Sequence, residues 1–331
     1  MKRFVLCLLM LAAAASLTAA EDQGASLALR DDVWRSIFKR PADIPNPADN
    51  PATPEKIALG AALFADVRLS GDQNRACASC HNPARGFTDG RRKARARDGS
   101  DLRRNTPALY NLAWAPHLYA DGRAASLEAQ ARSPITTAIE LGATFEAIAA
   151  RLAADPATAK QFAAAFPSAP QVSEANIVAA LAAFERTLIS PETRFDRWVT
   201  GDDTALTDTE RDGFSVFVGK GGCVGCHGGW RFTDDGFRDI GLPGDDPGRS
   251  AITGASPELR QFKTPSLREL TRTAPYMHDG SLGNLRDVVN HYSGGFVKRP
   301  SLDSNLVRDL ALTETEKEAL ITFLESLSSN P

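Results

Sequence analysis

The sequence predicts an all-α protein made of two related halves separated by long loops. Three observations carry this reading. Apolar residues recur at helical spacing behind threonine caps, and no stretch alternates apolar with polar residues as a half-buried strand does. A C-x-x-C-H unit followed shortly by Phe-Thr-Asp occurs twice: Cys77, Cys80 and His81 precede Phe87, while Cys223, Cys226 and His227 precede Phe232. At 331 residues the chain is long enough for two cores, one around each unit.

The elements follow in order. Residues 41–54 are rich in proline, aspartate and asparagine and read as an irregular strap. Thr53 and Pro54 then suit a helix start, and Ile57, Leu59, Ala62 and Leu63 give that helix an apolar side. Further helices are expected over residues 144–154, 173–188, 207–218 and 313–327. In the last, Thr313 and Glu316 have capping-box spacing, and Ala319, Leu320, Phe323, Leu324 and Leu327 form one face. Glycine- and proline-bearing loops lie between, notably residues 236–257, and the seam between halves is expected within residues 190–206.

The formal charge of −3 offers no general attraction to nucleic acid or to an acidic membrane surface. Residues 1–20 read as a secretory leader: Lys2 and Arg3, an apolar run from Phe4 to Ala15, then small residues ending at Ala20. That run is shorter than the ~20 apolar residues a spanning helix requires. The mature chain is therefore expected to be exported and without a membrane span. Cys7 leaves with the leader, so the remaining cysteines all belong to the two C-x-x-C-H units.

Four cysteines in an oxidising compartment suggest disulfides by default, but a disulfide framework gives no reason for a histidine after each pair. One such unit could also be a zinc half-site or a redox pair. Two of them, with no cysteine left over, favour covalent haem c: thiols become thioethers to the porphyrin and the imidazole binds iron. On a helix, Cys77, Cys80 and His81 would address one flat ligand, as would Cys223, Cys226 and His227. The expected fold is then two cytochrome c-like haem domains.

The second axial position decides whether a haem moves electrons or performs chemistry. Beyond the two motifs the mature chain offers only His117, His278, His291 and Met277 of the usual ligands. No histidine or methionine lies between His81 and His117, so the first iron is expected to be open.

Together with the two motifs, Asn105-Thr-Pro, Asp121-Gly-Arg-Ala, Gln130, Glu140, Phe262-Lys-Thr-Pro-Ser-Leu-Arg and Ala274-Pro-Tyr-Met-His-Asp-Gly-Ser resemble the bacterial di-haem cytochrome c peroxidase and MauG family, from about Pro54 onward. The resemblance implies that Gln130 and Glu140 are the distal amide and acid over the open iron, Glu140 moving the peroxide proton. It also implies that Tyr292 is the axial ligand opposite His227, since MauG-type enzymes have tyrosine where the family's peroxidases have methionine. Met277 and His291 are its rivals. A phenolate is a hard ligand that favours ferric iron. A calcium ion would take Asn105, Thr273 and Pro275.

Two positions depart from the family pattern. Arg97 stands where the peroxidases carry a histidine that blocks the first haem, so no reductive activation is expected. Ala120 replaces the tryptophan that lies between the haems, leaving Tyr119, Trp114 or Trp230 as alternative relays or as ordinary core residues. The run Arg91, Arg92, Lys93, Arg95 and Arg97 is a dense basic patch, either a solvated loop or a surface for haem propionates or an acidic donor.

The expected protein is thus a periplasmic di-haem peroxidase that reduces hydrogen peroxide with electrons from a small redox protein, a cytochrome c or cupredoxin. Its expected organisation is a leader at 1–20, a strap at 21–53, a peroxidatic haem domain at 54–195 and an electron-transfer haem domain at 196–331. The alternatives are a MauG-like enzyme that oxidises a side chain of a partner protein and a non-catalytic di-haem carrier. The family commonly forms homodimers.

Overall fold

A computed structural model describes residues 31–306 and 310–329. The expected leader at 1–20, Cys7 included, lies outside the described residues. The described chain is mostly helical. Helix α1 covers residues 31–38. It is followed by α2 (Pro54–Phe64), α3 (Leu127–Thr136), α4 (Phe145–Ala153), α5 (Pro156–Ala165), α6 (Glu174–Arg186), α7 (Arg194–Val199), α8 (Asp208–Val218), α9 (Ser250–Thr253), α10 (Leu285–Asn290) and α11 (Glu314–Glu325). Sheet is confined to β1 (Phe237–Arg238) and β2 (Phe262–Lys263), antiparallel with Phe237 opposite Lys263.

The five expected helices form where their caps place them. The Thr53 side chain accepts from the Lys56 N–H ahead of Pro54, and Thr313 and Glu316 satisfy each other's backbone donors. Helix α11 ends two residues before Leu327, which is nonetheless fully buried. The sequence reading passed over α1 and α3. It also passed over α5, whose alanines give little periodicity, and the short α7, α9 and α10.

Two apolar cores result. In the first, Leu59, Leu63 and Phe64 of α2 meet Ile148, Phe162, Ile177 and Leu181. The second joins Phe195, Trp198, Phe214, Phe217, Phe232 and Phe323. Each is organised on a helix crossing that a glycine permits. A Cβ at Gly60 of α2 would lie 2.0 Å from the Ala180 carbonyl oxygen of α6, and one at Gly213 of α8 would lie 2.0 Å from that of Ala319 in α11. Phe184 and Phe323 close the two crossings at matching places.

The strap touches both cores. Phe38, fully buried, stacks on Phe232 with centroids 4.7 Å apart, and Arg40 grips Asp196 at 2.9 and 2.7 Å. Burial raises the Asp196 carboxyl, but Arg40 and Arg268 outweigh it and hold the group down at about 2. Farther along, Asn50 donates to Glu128 at 2.7 Å and to the Ala179 carbonyl at 3.0 Å.

One buried acid is anomalous. Glu185, near the end of α6, is 6% exposed, and its Oε2 has no hydrogen-bond partner among the described residues. At the matching place in the second crossing stands Leu324. Burial pushes the Glu185 carboxyl up to about 8, Glu128 adding to the rise and Arg186 opposing it.

Two predictions follow from these cores. Gly60→Ala and Gly213→Ala should each lower stability by about 1–3 kcal/mol in chemical denaturation, because the helices must separate to admit a methyl group. Folded Glu185 also holds its proton to higher pH than the unfolded carboxyl does. Its contribution, complete below about 4.5, is lost as pH rises through about 8. The melting temperature of native protein should therefore fall across that window more steeply than that of Glu185→Gln.

Candidate functional site

Each C-x-x-C-H unit, expected on a helix, forms a single helical turn. Residues Cys77–Ser79 and Cys223–Gly225 are 3₁₀ turns, and the His81 and His227 N–H groups reach back to the Cys77 and Cys223 carbonyls, both at 2.9 Å. The turn cannot lengthen, because residue 82 is already extended in the first half and the second is entered through Gly222 at φ 63°. The single i to i+4 closure still sets both thiols and the imidazole on one side. No disulfide joins the four cysteines, and burial pushes the Cys77 thiol up to about 12.

The Phe-Thr-Asp repeat proves to be what fixes the imidazoles. Nδ1 of His81 lies 2.8 Å from the Phe87 carbonyl oxygen and Nδ1 of His227 lies 2.9 Å from that of Phe232. A carbonyl only accepts, so each Nδ1 carries the proton and each Nε2 keeps a lone pair for a metal. Burial pushes both rings toward the neutral form. Phe87 and Phe232 adopt φ of 60° and 55°, a left-handed conformation that costs a non-glycine residue about 1–2 kcal/mol. These residues fit haem c: a pair of cysteines outside any disulfide on each turn, beside an imidazole whose Nδ1 is held by a carbonyl.

Beside the first motif, α3 and the turn after it gather Tyr119, Arg123, Gln130 and Glu140. The Tyr119 hydroxyl donates to the Gln130 carbonyl at 3.0 Å, and Gln130 Nε2 lies 3.4 Å from the same hydroxyl. Burial pushes the Glu140 carboxyl up, with Arg123 opposing. Glu140 is also near Cys80, whose thiol is raised by burial, by Asp89 and by Glu140. Arg97 takes no place over the motif. Its N–H donates to the Ile139 carbonyl at 2.8 Å and its guanidinium pairs with Asp72 at 3.3 Å, anchoring the turn that carries Glu140.

The second motif has a different companion. Burial pushes the Tyr292 phenol up, and the Cys223 and Cys226 thiols add to it, so the ring lies within electrostatic reach of the motif. His291 is otherwise engaged, its Nε2 lying 2.8 Å from the Ile240 carbonyl oxygen. Met277 occupies a left-handed position at φ 74°. The backbone repeats here beyond what the Phe-Thr-Asp signal revealed. The bridge Leu118 to Ala124 encloses Tyr119 at φ 68° as Tyr276 to Leu282 encloses Met277, and the cap Ser126 of α3 answers to Asn284 of α10. The same register sets Pro134 of α3 against Tyr292. The paired Thr-Pro and Asp-Gly dipeptides were the overlooked signal in the sequence.

Several expected residues lie between the halves. The Ala120 carbonyl accepts from Lys263 N–H at 2.7 Å. Trp114 and Trp230 meet edge to face at 4.7 Å, and His278 stacks on Phe262 at 3.6 Å. Asn105 N–H donates to the His278 carbonyl, and Asn105 Nδ2 donates to that of Arg91 at 2.7 Å, leaving Oδ1 as a donor for a hard cation. Thr273 packs its methyl group toward Gly86 and bonds to the Leu270 carbonyl at 3.3 Å, with Pro275 beyond it in a cis peptide. No hydrogen bond among the described residues joins Asn105 to Thr273 or Pro275. Within the basic run, Arg95 pairs with Asp101 at 3.3 Å, while Arg92 and Lys93 line a cleft of about 440 Å³ with Arg260, Phe262 and His278. No described helix is long and apolar enough to cross a membrane.

The model of the di-haem cytochrome c peroxidase family matches residues 54–204. Methylamine utilization protein MauG of Methylorubrum extorquens is 46% identical over 300 residues, covering 90% of this chain and 85% of that protein. Cytochrome-c peroxidase IdrP1 of Denitromonas iodatirespirans is 36% identical, covering 86% and 84% of the two chains. The crystal structure of a MauG-like protein associated with microbial copper homeostasis superposes with a TM-score of 0.80 at 35% identity, covering 88% of this chain and 95% of that one. With the fold, the motifs and these likenesses in agreement, the chain belongs to the di-haem cytochrome c peroxidase family, oxidoreductases whose membership implies two haem c groups.

Proposed function

We propose that the chain reduces hydrogen peroxide at a first haem domain, residues 54–195, and passes charge through a second, residues 196–331. Haem c would be held through Cys77, Cys80 and His81 in the first and through Cys223, Cys226 and His227 in the second. The two apolar cores support this division, with α7 at the boundary lending Phe195 and Trp198 to the second core. The observation that carries the reading is an asymmetry between the residues in matching register beside the two motifs. Tyr292 lies within electrostatic reach of the second motif's thiols, whereas the residue in matching register beside the first is Pro134, which has no ligand atom.

A bound first haem supplies an iron at which the O–O bond of peroxide can break. The protein's part is to move the proton. Glu140, half-buried near Cys80, would take it from one peroxide oxygen and return it to the other, which leaves as water. Gln130, tied to Tyr119, would orient peroxide beside that acid. Arg97 is held by Asp72 and by residues 138–139, which supports a pocket needing no reductive opening.

The leader at 1–20 supports export to the periplasm, where a cytochrome c or cupredoxin would be the electron donor. Asn105, Thr273 and Pro275 are the proposed calcium donors, Asn105 through Oδ1. A second reading, oxidation of a side chain on a partner protein, is favoured by Tyr292 and by the likeness to MauG. Ala120 weighs against it, having no ring to place between the haems. Steady-state turnover with a reduced small redox protein supports the first reading, and a mass change in a partner supports the second.

Absorption and resonance spectra of the holoenzyme test the whole proposal. One high-spin haem that exchanges ligands is expected beside one low-spin haem, and two low-spin haems would make the protein a carrier instead. Glu140→Gln should slow the reaction of the ferric enzyme with peroxide by about 10²–10⁴-fold in rapid mixing. Unchanged kinetics remove Glu140 from the mechanism. Tyr292→Phe should alter the spectrum of the second haem alone, and an unaltered spectrum would return the axial position to Met277.

A further inference from the structure

Tyr119 is the oxidisable side chain of the proposed peroxide pocket, and it is not left bare. The Arg123 guanidinium carbon lies 3.4 Å from the centre of its ring. Arg123 is held there by Asp121, whose two oxygens lie 3.0 and 2.9 Å from its Nη1. Asp121 is itself shared with Arg104 at 2.5 Å, and Arg104 is held in turn by Asp246 at 2.8 Å. Asp121 thus fixes the guanidinium on the ring, while Arg104 is balanced by Asp246 as well.

A cation on a π face is stabilised by the electrons of that face. Removing one of those electrons leaves two positive charges in contact. A phenol escapes this cost only by losing its proton as the electron goes, and for that its hydroxyl needs a base. The Tyr119 hydroxyl bonds instead to a peptide carbonyl, at 3.0 Å, with the Gln130 amide and the Ser133 hydroxyl as its other neighbours. Glu140, the remaining titratable neighbour, makes no hydrogen bond to Tyr119.

We propose that Arg123 shields Tyr119 from oxidation, so that oxidising equivalents drawn from peroxide bypass the pocket's own tyrosine. This rests on the peroxidase reading for its oxidant but not for its physics. The step prevented is the loss of one electron from the Tyr119 ring to the oxidant and of one proton from its hydroxyl, leaving a phenoxyl radical. Arg123 is a positioning and shielding residue, and the charge it carries is what acts.

The test compares native holoenzyme with R123M, R123K and Y119F/R123M, each without an electron donor. One series is treated with hydrogen peroxide and a second with photogenerated tris(bipyridine)ruthenium(III), which requires no reactive haem. Oxidised Tyr119 is read by peptide mass spectrometry, with Tyr110 and Tyr276 as internal references, and by the tyrosyl radical signal. In R123M, Tyr119 oxidation should rise by about an order of magnitude relative to the references, the factor implied by a well-desolvated cation–π contact. The radical should vanish in Y119F/R123M, and R123K, which keeps the charge, should resemble the native protein. A rise with ruthenium but not with peroxide keeps the shield and removes the peroxidase reading. Native-level oxidation in R123M with both oxidants, or equal oxidation in R123K and R123M, overturns the proposal.

Discussion

In each half an imidazole Nδ1–H donates to the carbonyl of a phenylalanine held in the left-handed region, at 2.8 Å for His81 and 2.9 Å for His227. That bond turns a sequence motif into a binding surface. It fixes the tautomer, points Nε2 outward and folds residues 82–87 and 228–232 back under the ring. The same loops then set up contacts farther away. Phe232 enters the second core against Phe38 and Phe195, and Gly86 meets Thr273 across the halves. Were either imidazole free to rotate, the thiols would remain but the plane they share with the ring nitrogen would be lost.

On this common frame the halves diverge at few positions. The glycine-mediated crossing is identical in design, yet Glu185 occupies in the first half the place of Leu324 in the second. The helix beside each motif starts from an equivalent cap, yet one presents Pro134 and the other leads to Tyr292. Polarity has entered the first half where the second kept hydrocarbon, and a ligand-capable ring has entered the second where the first has a proline. The division of labour proposed for the halves therefore requires no difference in their helix packing.

Much of this was legible in the sequence because it rests on residue types with narrow uses. Cys77, Cys80 and His81 and their counterparts declare themselves by spacing, and Thr53, Thr207 and Thr313 declare helix starts by their hydroxyls. The deeper repeat was hidden because it is carried by backbone conformation. Left-handed residues pair Asn111 with Glu269 and Tyr119 with Met277, side chains that share nothing a sequence comparison would weigh. Helix α3 was obscured by Pro134 within it, which has no N–H to give the Gln130 carbonyl, and the Tyr119 hydroxyl supplies that bond at 3.0 Å. Glu185 was invisible because an acid beside an arginine near a helix end looks solvated until its surroundings are known.

The second core has a property of timing. It contains Phe38 from near the start of the chain and Phe323 from near its end, both packed on Phe195. No intermediate of synthesis or export holds all three until the last helix has emerged. The first core, drawn from residues 59–188, is complete long before. Contacts so far apart in sequence are slow to form. Both ends of the chain must therefore be present before the second core is complete.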